Sequence, residues 1–425
     1  MFHDAMPGTA EHLAANAPIT GYIGFDPTAA SLHIGNLATI MLLVHLQRAG
    51  HRPVALVGGA TGMIGDPSGK SAERNLLDEA TLRHNQAGIR AQLEKFLDFR
   101  EGPTGALVVN NYDWFKEIGF LGFLREVGKH LTVNYMMAKD SVKRRIGGEE
   151  GSDSSGISYT EFSYQLLQGY DFVHLNKTLS CTLQMGASDQ WGNITTGTEL
   201  IRRLANAENR EAKAYALTGQ LITKADGTKY GKSETGTVWL DPALTSPYQF
   251  YQFFLNAADA DAPRLIRVFT LLTEPEILAI EAEHTAAPHL RTLQKALAAD
   301  VTTRVHSAAA TEAALAASQV LFGGGDLASL NEATLLDVFA GVPHLRVLRN
   351  EMTELNAATF LSDFTLHKIF PSKGEARKMI QAGGVSINRE KIASPDAPVA
   401  ALQHLAGKYL VVQKGRKNYF LVELV

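Results

Sequence analysis

His33, Gly35 and Asn36 open an apolar-periodic segment just past the strand-breaking turn Asp26-Pro27-Thr28. A helix start exposes unpaired N–H groups and the positive end of the peptide dipole, so an imidazole and a close-approach glycine placed there suit a triphosphate. Some two hundred residues on, Lys224-Ala-Asp-Gly-Thr-Lys229-Tyr-Gly-Lys232-Ser233 sets lysines around a glycine-containing turn with a hydroxyl behind them. Such a cationic loop can hold a pyrophosphate leaving group as its charge develops. Taken singly, the first segment is also an ordinary βα turn capped by Ser31, and the second a lysine-rich surface loop.

A third group of polar residues lies between them. Tyr164, Gln168 and Asp171 are spaced by four and then three, which puts them on one face of the helix expected from Ser158 onward. A tyrosine, an amide and a short carboxylate can line a pocket for a small zwitterion, the carboxylate accepting from a ligand hydroxyl and the others from an ammonium. The bland alternative is a solvated stripe. Further on, Gly186-Ala-Ser-Asp189-Gln190 is another glycine turn before a helix, with Asp189 as an acceptor for sugar hydroxyls.

These residues need a scaffold that presents turns on one edge. Residues 19–25 read as a buried strand, 37–46 as a helix, 52–59 as an apolar run ending in glycines, about 78–99 as an amphipathic helix and 106–110 as a strand. This alternation predicts an α/β fold with a parallel sheet, right-handed crossovers and ligands at the carboxyl ends of the strands. Tyr22–Asp26, Gly58–Lys70 and Asn110–Trp114 all fall at such ends. A strand over 179–184, a helix after it and a last strand over 214–222 complete the pattern before the lysine loop. Residues 115–160 interrupt it with helical, aromatic and basic sequence.

At 425 residues the chain exceeds one core and implies two to four domains. A composition 45% hydrophobic and 20% charged is that of a soluble globular enzyme. The first 17 residues lack the basic and apolar regions of a signal peptide, and no run of eighteen apolar residues occurs, so a cytoplasmic location is expected. The single cysteine, Cys181, excludes an intrachain disulfide framework and lies in an apolar run that marks it as a core residue. Net charge is −4, but residues 361–425 hold ten Lys/Arg against five Asp/Glu, leaving −9 for the rest. That basic tail points to nucleic acid.

The segments His33-Ile-Gly-Asn36 and Lys229-Tyr-Gly-Lys-Ser233, in this order and separation, resemble the paired HIGH and KMSKS signatures of class I aminoacyl-tRNA synthetases. From about residue 19 onward the chain is similar to the bacterial tyrosyl branch of that family. The resemblance implies a Rossmann-like catalytic domain over 1–240 with a dimerising insertion at about 115–160. It further implies an α-helical anticodon domain over 241–320, a linker over 321–350 containing Gly323-Gly-Gly325, and an α+β RNA-binding domain of S4 type over 351–425.

It also implies roles at matching positions. Tyr22 and Asp171 would meet a phenolic hydroxyl; Asp66, Tyr164 and Gln168 an ammonium; Gln190 a carboxylate; Asp189 the ribose. Gly24, Asp26 and Gly35 would line the nucleotide cleft, with Thr28 and His33 on the γ-phosphate. Lys70, Arg74, Lys229, Lys232 and Ser233 would surround the pyrophosphate. Implied substrates are tyrosine, ATP carrying Mg2+, and tRNA; the sequence offers no metal cage of its own. RNA contacts would come from Lys368, Lys373, Arg377, Lys378, Arg389, Lys414, Arg416 and Lys417. Two departures stand out: Asn36 in place of the last histidine of HIGH, where an N–H donor of similar reach is kept, and Ile23 in place of a cysteine beside the ribose. The rivals are a tryptophanyl or other class I adenylate-forming ligase, and a catalytically silent RNA-binding paralogue.

Overall fold

The computed structural model describes residues 1–66, 78–139, 142–143, 157–223, 230–233, 236–323, 326–340, 342–349, 352, 355–400, 402–415 and 418–425. The chain forms two compact units, one of residues 1–245 and 253–305, the other of residues 246–252 and 306–425.

The larger unit is built on β1 (Phe2–Ala5), α1 (Thr9–Ala15), β2 (Thr20–Phe25), α2 (Ile34–Arg48), β3 (Arg52–Val57), α3 (Gly59–Ile64), α4 (Glu79–Leu93) and β4 (Leu107–Asn110). It continues through α5 (Tyr112–Phe115), α6 (Phe120–Glu126), α7 (Val133–Met137), α8 (Tyr159–Leu179), β5 (Cys181–Ala187), α9 (Trp191–Ala207) and β6 (Tyr215–Gly219). The sheet order is β1-β6-β5-β2-β3-β4, and every neighbouring pair except β1 with β6 is parallel. Central strands buried on both faces need apolar residues without alternation, and β2 and β3 meet that need with Tyr22, Ile23, Phe25, Val54, Ala55, Leu56 and Val57. On α2, Ile34, Leu37, Ile40, Met41, Leu43 and Leu46 are all buried against this core, so the helix is held by packing on more than one face.

The expected α/β class is therefore present, with corrections of detail. The sheet gains an antiparallel edge strand, β1. The helix expected from Ser158 runs to Leu179, so β5 starts at Cys181, two residues late. Cys181 is fully buried, and burial pushes its thiol up to about 12.

After a two-residue hairpin of β7 (Lys232–Ser233) and β8 (Gly236–Thr237) the chain turns helical: α10 (Pro247–Leu255), α11 (Ala262–Phe269), α12 (Glu274–Ala286), α13 (Thr292–Val305) and α14 (Ala308–Gly323). The stretch expected to be a linker holds α15 (Glu332–Val338) and β9 (His344–Val347). That strand belongs to the smaller unit's sheet, ordered β11-β10-β12-β13-β9, with β10 (Val385–Ile387), β11 (Glu390–Lys391), β12 (Tyr409–Lys414) and β13 (Asn418–Leu424). It pairs parallel with β13, from His344 opposite Leu421 to Val347 opposite Leu424. Helix α16 (Lys373–Gln381), capped by Ser372, leads through Gly383 and Gly384 into β10. Its Ala376 and Ile380 join Phe360, Leu361, Val385, Leu410 and Val422 in that unit's core.

Candidate functional site

The candidate residues of the larger unit that fall among the described residues converge on one cavity of about 330 Å³ at the carboxyl ends of β2, β3 and β5. Tyr22, Gly24, Asp26, Thr28, His33, Gly35, Asn36, Asp66, Tyr164, Gln168, Asp171, Asp189 and Gln190 all line it, as does Ile23. Lys70, Arg74 and Lys229 lie outside the described residues; for Lys232 and Ser233 only the backbone, in the hairpin, is described.

One end of the cavity is closed and specific. Tyr22, at 1% exposure, packs edge-on to Phe172 at 5.3 Å, a geometry that adds about 0.5–1.5 kcal/mol to simple burial. Its hydroxyl is buried without a hydrogen-bond partner. Asp171, at 2% exposure, accepts from Asn111 Nδ2 at 3.0 Å on one oxygen and from Trp114 Nε1 at 3.0 Å on the other. Burial pushes the Asp171 carboxyl up to about 8, the two donors opposing that rise and the Asp26 charge adding to it. The same burial, with the Asp171 charge, drives the Tyr22 phenol well above its ordinary value. A buried hydroxyl left unmatched costs about 1–3 kcal/mol, so this end favours a ligand that brings a hydroxyl of its own.

Beside it, Gln190 Nε2 donates to Asp66 at 2.9 Å while its oxygen accepts from Asn193 Nδ2 at 3.2 Å. That chain fixes the rotamers of two groups assigned to the two charged ends of an amino acid. Gln168 and Gln184 each keep a buried, unpartnered amide oxygen on the cavity wall.

The other end is built from backbone. His33 caps α2, and its N–H donates to Asn36 Oδ1 at 3.1 Å. Asn36 therefore spends its oxygen on the helix start, a capping role that its amide supports directly. A Cβ on Gly35 would stand 2.8 Å from the His33 ring, so only glycine leaves the imidazole where it is. The chain following the lysine loop is zipped onto this helix start: Ile34 N donates to Val238 O at 3.0 Å, Val238 N to Gly231 O at 3.0 Å, and Leu240 N to Leu32 O at 2.9 Å. Gly231, at φ +103°, approaches so closely that a Cβ there would lie 3.1 Å from Gly35 N. The two motifs, distant in sequence, thus meet.

Asn111, Trp114 and Gln184 were not singled out from the sequence. The position of the first two just past β4, at the ligand edge of a parallel sheet, was the available signal. In the smaller unit Lys368, Lys373, Arg377 and Lys378 are exposed, and Arg389 sits in a left-handed turn at φ +71°. Lys373 pairs with Asp363 at 3.0 Å and Arg377 with Asp396 at 3.1 Å. Lys414 is engaged inward, donating to Ile369 O at 2.8 Å and standing 4.3 Å over the Phe370 ring. Arg416 and Lys417 lie outside the described residues.

Residues 14–323 match the family of class I tRNA synthetases (W and Y), and residues 335–422 match the SYY-like C-terminal domain of tyrosine–tRNA ligases. A tyrosine–tRNA ligase of Cytophaga hutchinsonii is 61% identical over 99% of this chain and 96% of its own. One of Bacteroides fragilis is 59% identical over 99% and 97%. Among solved structures, a C-terminally truncated mitochondrial tyrosyl-tRNA synthetase of Aspergillus nidulans superposes with a TM-score of 0.67 at 28% identity, covering 76% of this chain and 91% of that one. The chain belongs to the class I aminoacyl-tRNA synthetases and, within them, to the tyrosine–tRNA ligase family.

Proposed function

We propose that this chain activates L-tyrosine with ATP and transfers it to the 3′ end of its cognate tRNA, using the cavity in the following way. The substrate phenol enters the closed end and matches the Tyr22 hydroxyl and the Asp171 carboxyl. Phenylalanine would leave the buried Tyr22 hydroxyl unmatched and bring no donor to the Asp171 carboxyl, which is the physical basis of its rejection. The ammonium lies toward Asp66, Tyr164 and Gln168, and the carboxylate toward Gln190.

One carboxylate oxygen attacks the α-phosphorus of ATP in line; the bond from that phosphorus to the bridging oxygen breaks, and pyrophosphate departs. The attacking group is already ionised, so no general base is required and the rate comes from positioning and charge stabilisation. Asp26, Gly24 and Gly35 border the nucleotide, Asp189 faces its ribose, and Thr28 and His33 meet the γ-phosphate. Lys70, Arg74, Lys229, Lys232 and Ser233 neutralise the departing pyrophosphate. Magnesium arrives as part of the ATP complex. A terminal ribose hydroxyl of tRNA then attacks the tyrosyl carbonyl and AMP leaves.

Other parts of the molecule support the accompanying partners. Phe120 and Leu121 on α6 and Val133 and Met137 on α7 are large apolar side chains left exposed, Leu121 at 79%, which favours a homodimer formed through this insertion. The basic stretch 361–425, with ten Lys/Arg against five Asp/Glu, favours tRNA, held by phosphate contacts and shape. Among the described residues no helix is long and apolar enough to cross a membrane; work in the cytoplasm is part of this proposal. The observation that carries the reading is the buried Tyr22–Asp171 pair in a cavity that is also lined by His33, Gly35 and Asn36 at the start of α2 and by Tyr230. Asp171→Ala tests it: tyrosine affinity should drop about 100-fold with ATP affinity within about twofold, whereas an equal loss of both refutes the assignment.

A further inference from the structure

The residues that carry the chain from β6 toward the lysine loop, Gln220 to Thr223, are gripped from three sides by groups outside both signature motifs. Gln220 N donates to the carbonyl of Met1 at 2.8 Å, Leu221 N to Ser188 Oγ at 3.3 Å, and Arg264 on α11 donates through Nη2 to the carbonyl of Thr223. Arg264 is itself aimed by Asp261, 7% exposed, whose Oδ1 lies 3.3 Å from the same nitrogen. Met1 is held there because β1 adds to β6 in antiparallel register, with Phe2 opposite Gly219 and Ala5 opposite Leu217.

The gripped residues face the cleft. Leu221 and Ile222 line the main cavity, and a small annex beside it is walled by Met1, Gly35, Thr39, Gly219, Leu221 and Ile222. Gly35 and Thr39 belong to the first turns of α2, so the annex lies at the nucleotide end, away from Tyr22 and Asp171. Ile222 O also accepts from Tyr230 N at 3.2 Å, which ties the wall to the residue that re-enters after the lysine loop.

We propose that the amino-terminal strand and Arg264 are positioning elements that hold Gln220–Thr223 as a preset wall of the ATP subsite. The inference rests on the assignment of this end of the cleft to the nucleotide. Neither group touches the reacting atoms; each fixes backbone that otherwise would have to be ordered when ATP binds, a cost that appears in ATP affinity and not in tyrosine affinity.

Two variants of the full-length chain test this: Arg264→Gln, and deletion of residues 2–5. In pyrophosphate exchange each should raise KM for ATP about tenfold, the size expected for losing one well-formed hydrogen bond to a charged donor or an equivalent ordering term. The dissociation constant for tyrosine, measured without ATP, should stay within about twofold, and Arg264→Lys should recover part of the loss because an ammonium still reaches one carbonyl. A rise in tyrosine's dissociation constant with KM for ATP unmoved would mean that the two ends of the cleft are misassigned. Unchanged values for both substrates, or losses that merely follow the melting temperature of each variant, would overturn the positioning role while leaving that assignment in place.

Discussion

At the end of the cleft proposed for the phenol, the wall is made of side chains that are almost fully buried and fixed by named neighbours: Tyr22 against Phe172, Asp171 between Asn111 and Trp114. At the end proposed for the phosphates, the described wall is a helix start and two closely approaching glycines. The difference follows from the ligands. One missing hydroxyl distinguishes phenylalanine from tyrosine, and only desolvated, matched polar groups detect that difference. A triphosphate is defined by charge, which backbone N–H groups and lysines meet without close sculpting.

Substitutions at the two ends should therefore separate cleanly. His33→Ala should lower kcat for adenylate formation about 10²- to 10³-fold, the usual cost of a lost transition-state donor, with tyrosine binding within about twofold. A matching loss of tyrosine affinity would erase the contrast. Trp114→Phe strips one donor from Asp171 without opening a large cavity. It should weaken tyrosine about tenfold in equilibrium dialysis and leave KM for ATP alone.

The pH dependence of stability sharpens the same contrast. Asp171 has an ordinary value of 3.8 and about 8 in the folded chain, so between those limits the native state holds a proton that the unfolded chain releases. Its contribution to stability therefore declines as pH rises from about 4 to about 8, and the penalty is complete above that. Asp171→Asn removes this titration. The melting temperature of the variant minus that of the native chain should climb from pH 5 to pH 8.5; a flat difference would mean that the carboxyl is not held in an apolar setting.

The smallest effect belongs to the basic stretch 361–425. Lys368→Ala should weaken tRNA binding a few-fold and lower the slope of log affinity against log salt by about one, as expected for a lost phosphate contact. Lys414→Met should weaken it with the slope unchanged, because that ammonium is spent on Ile369 and Phe370. Equal slopes for the two variants would return Lys414 to the RNA surface.

What could be read from the sequence was local. The spacing of Tyr164, Gln168 and Asp171 translates directly into one helix face, and the turns after β2 and β5 place Asp26 and Asp189 by strand geometry alone. What escaped depends on pairing across long stretches of chain. Trp114 gains its role from Asp171, 57 residues later. Strand β1 has the burial pattern of an exposed edge, with no alternation to reveal it, and it becomes a strand only by meeting β6. Strand β9, inside the expected linker, is likewise short and mostly exposed and is defined by pairing with β13. The role of Asn36 escaped for another reason: the resemblance directs attention to ATP, whereas the side-chain oxygen caps the helix.

Pyrophosphate exchange with each of tyrosine, tryptophan and phenylalanine supplied in turn probes the account most directly. Tyrosine alone should drive label into ATP, and Asp171→Ala should suppress that exchange at subsaturating tyrosine. Exchange supported by tryptophan, or exchange with tyrosine that the Asp171 substitution leaves untouched, would contradict the claim that the blind end of this cleft selects a phenol.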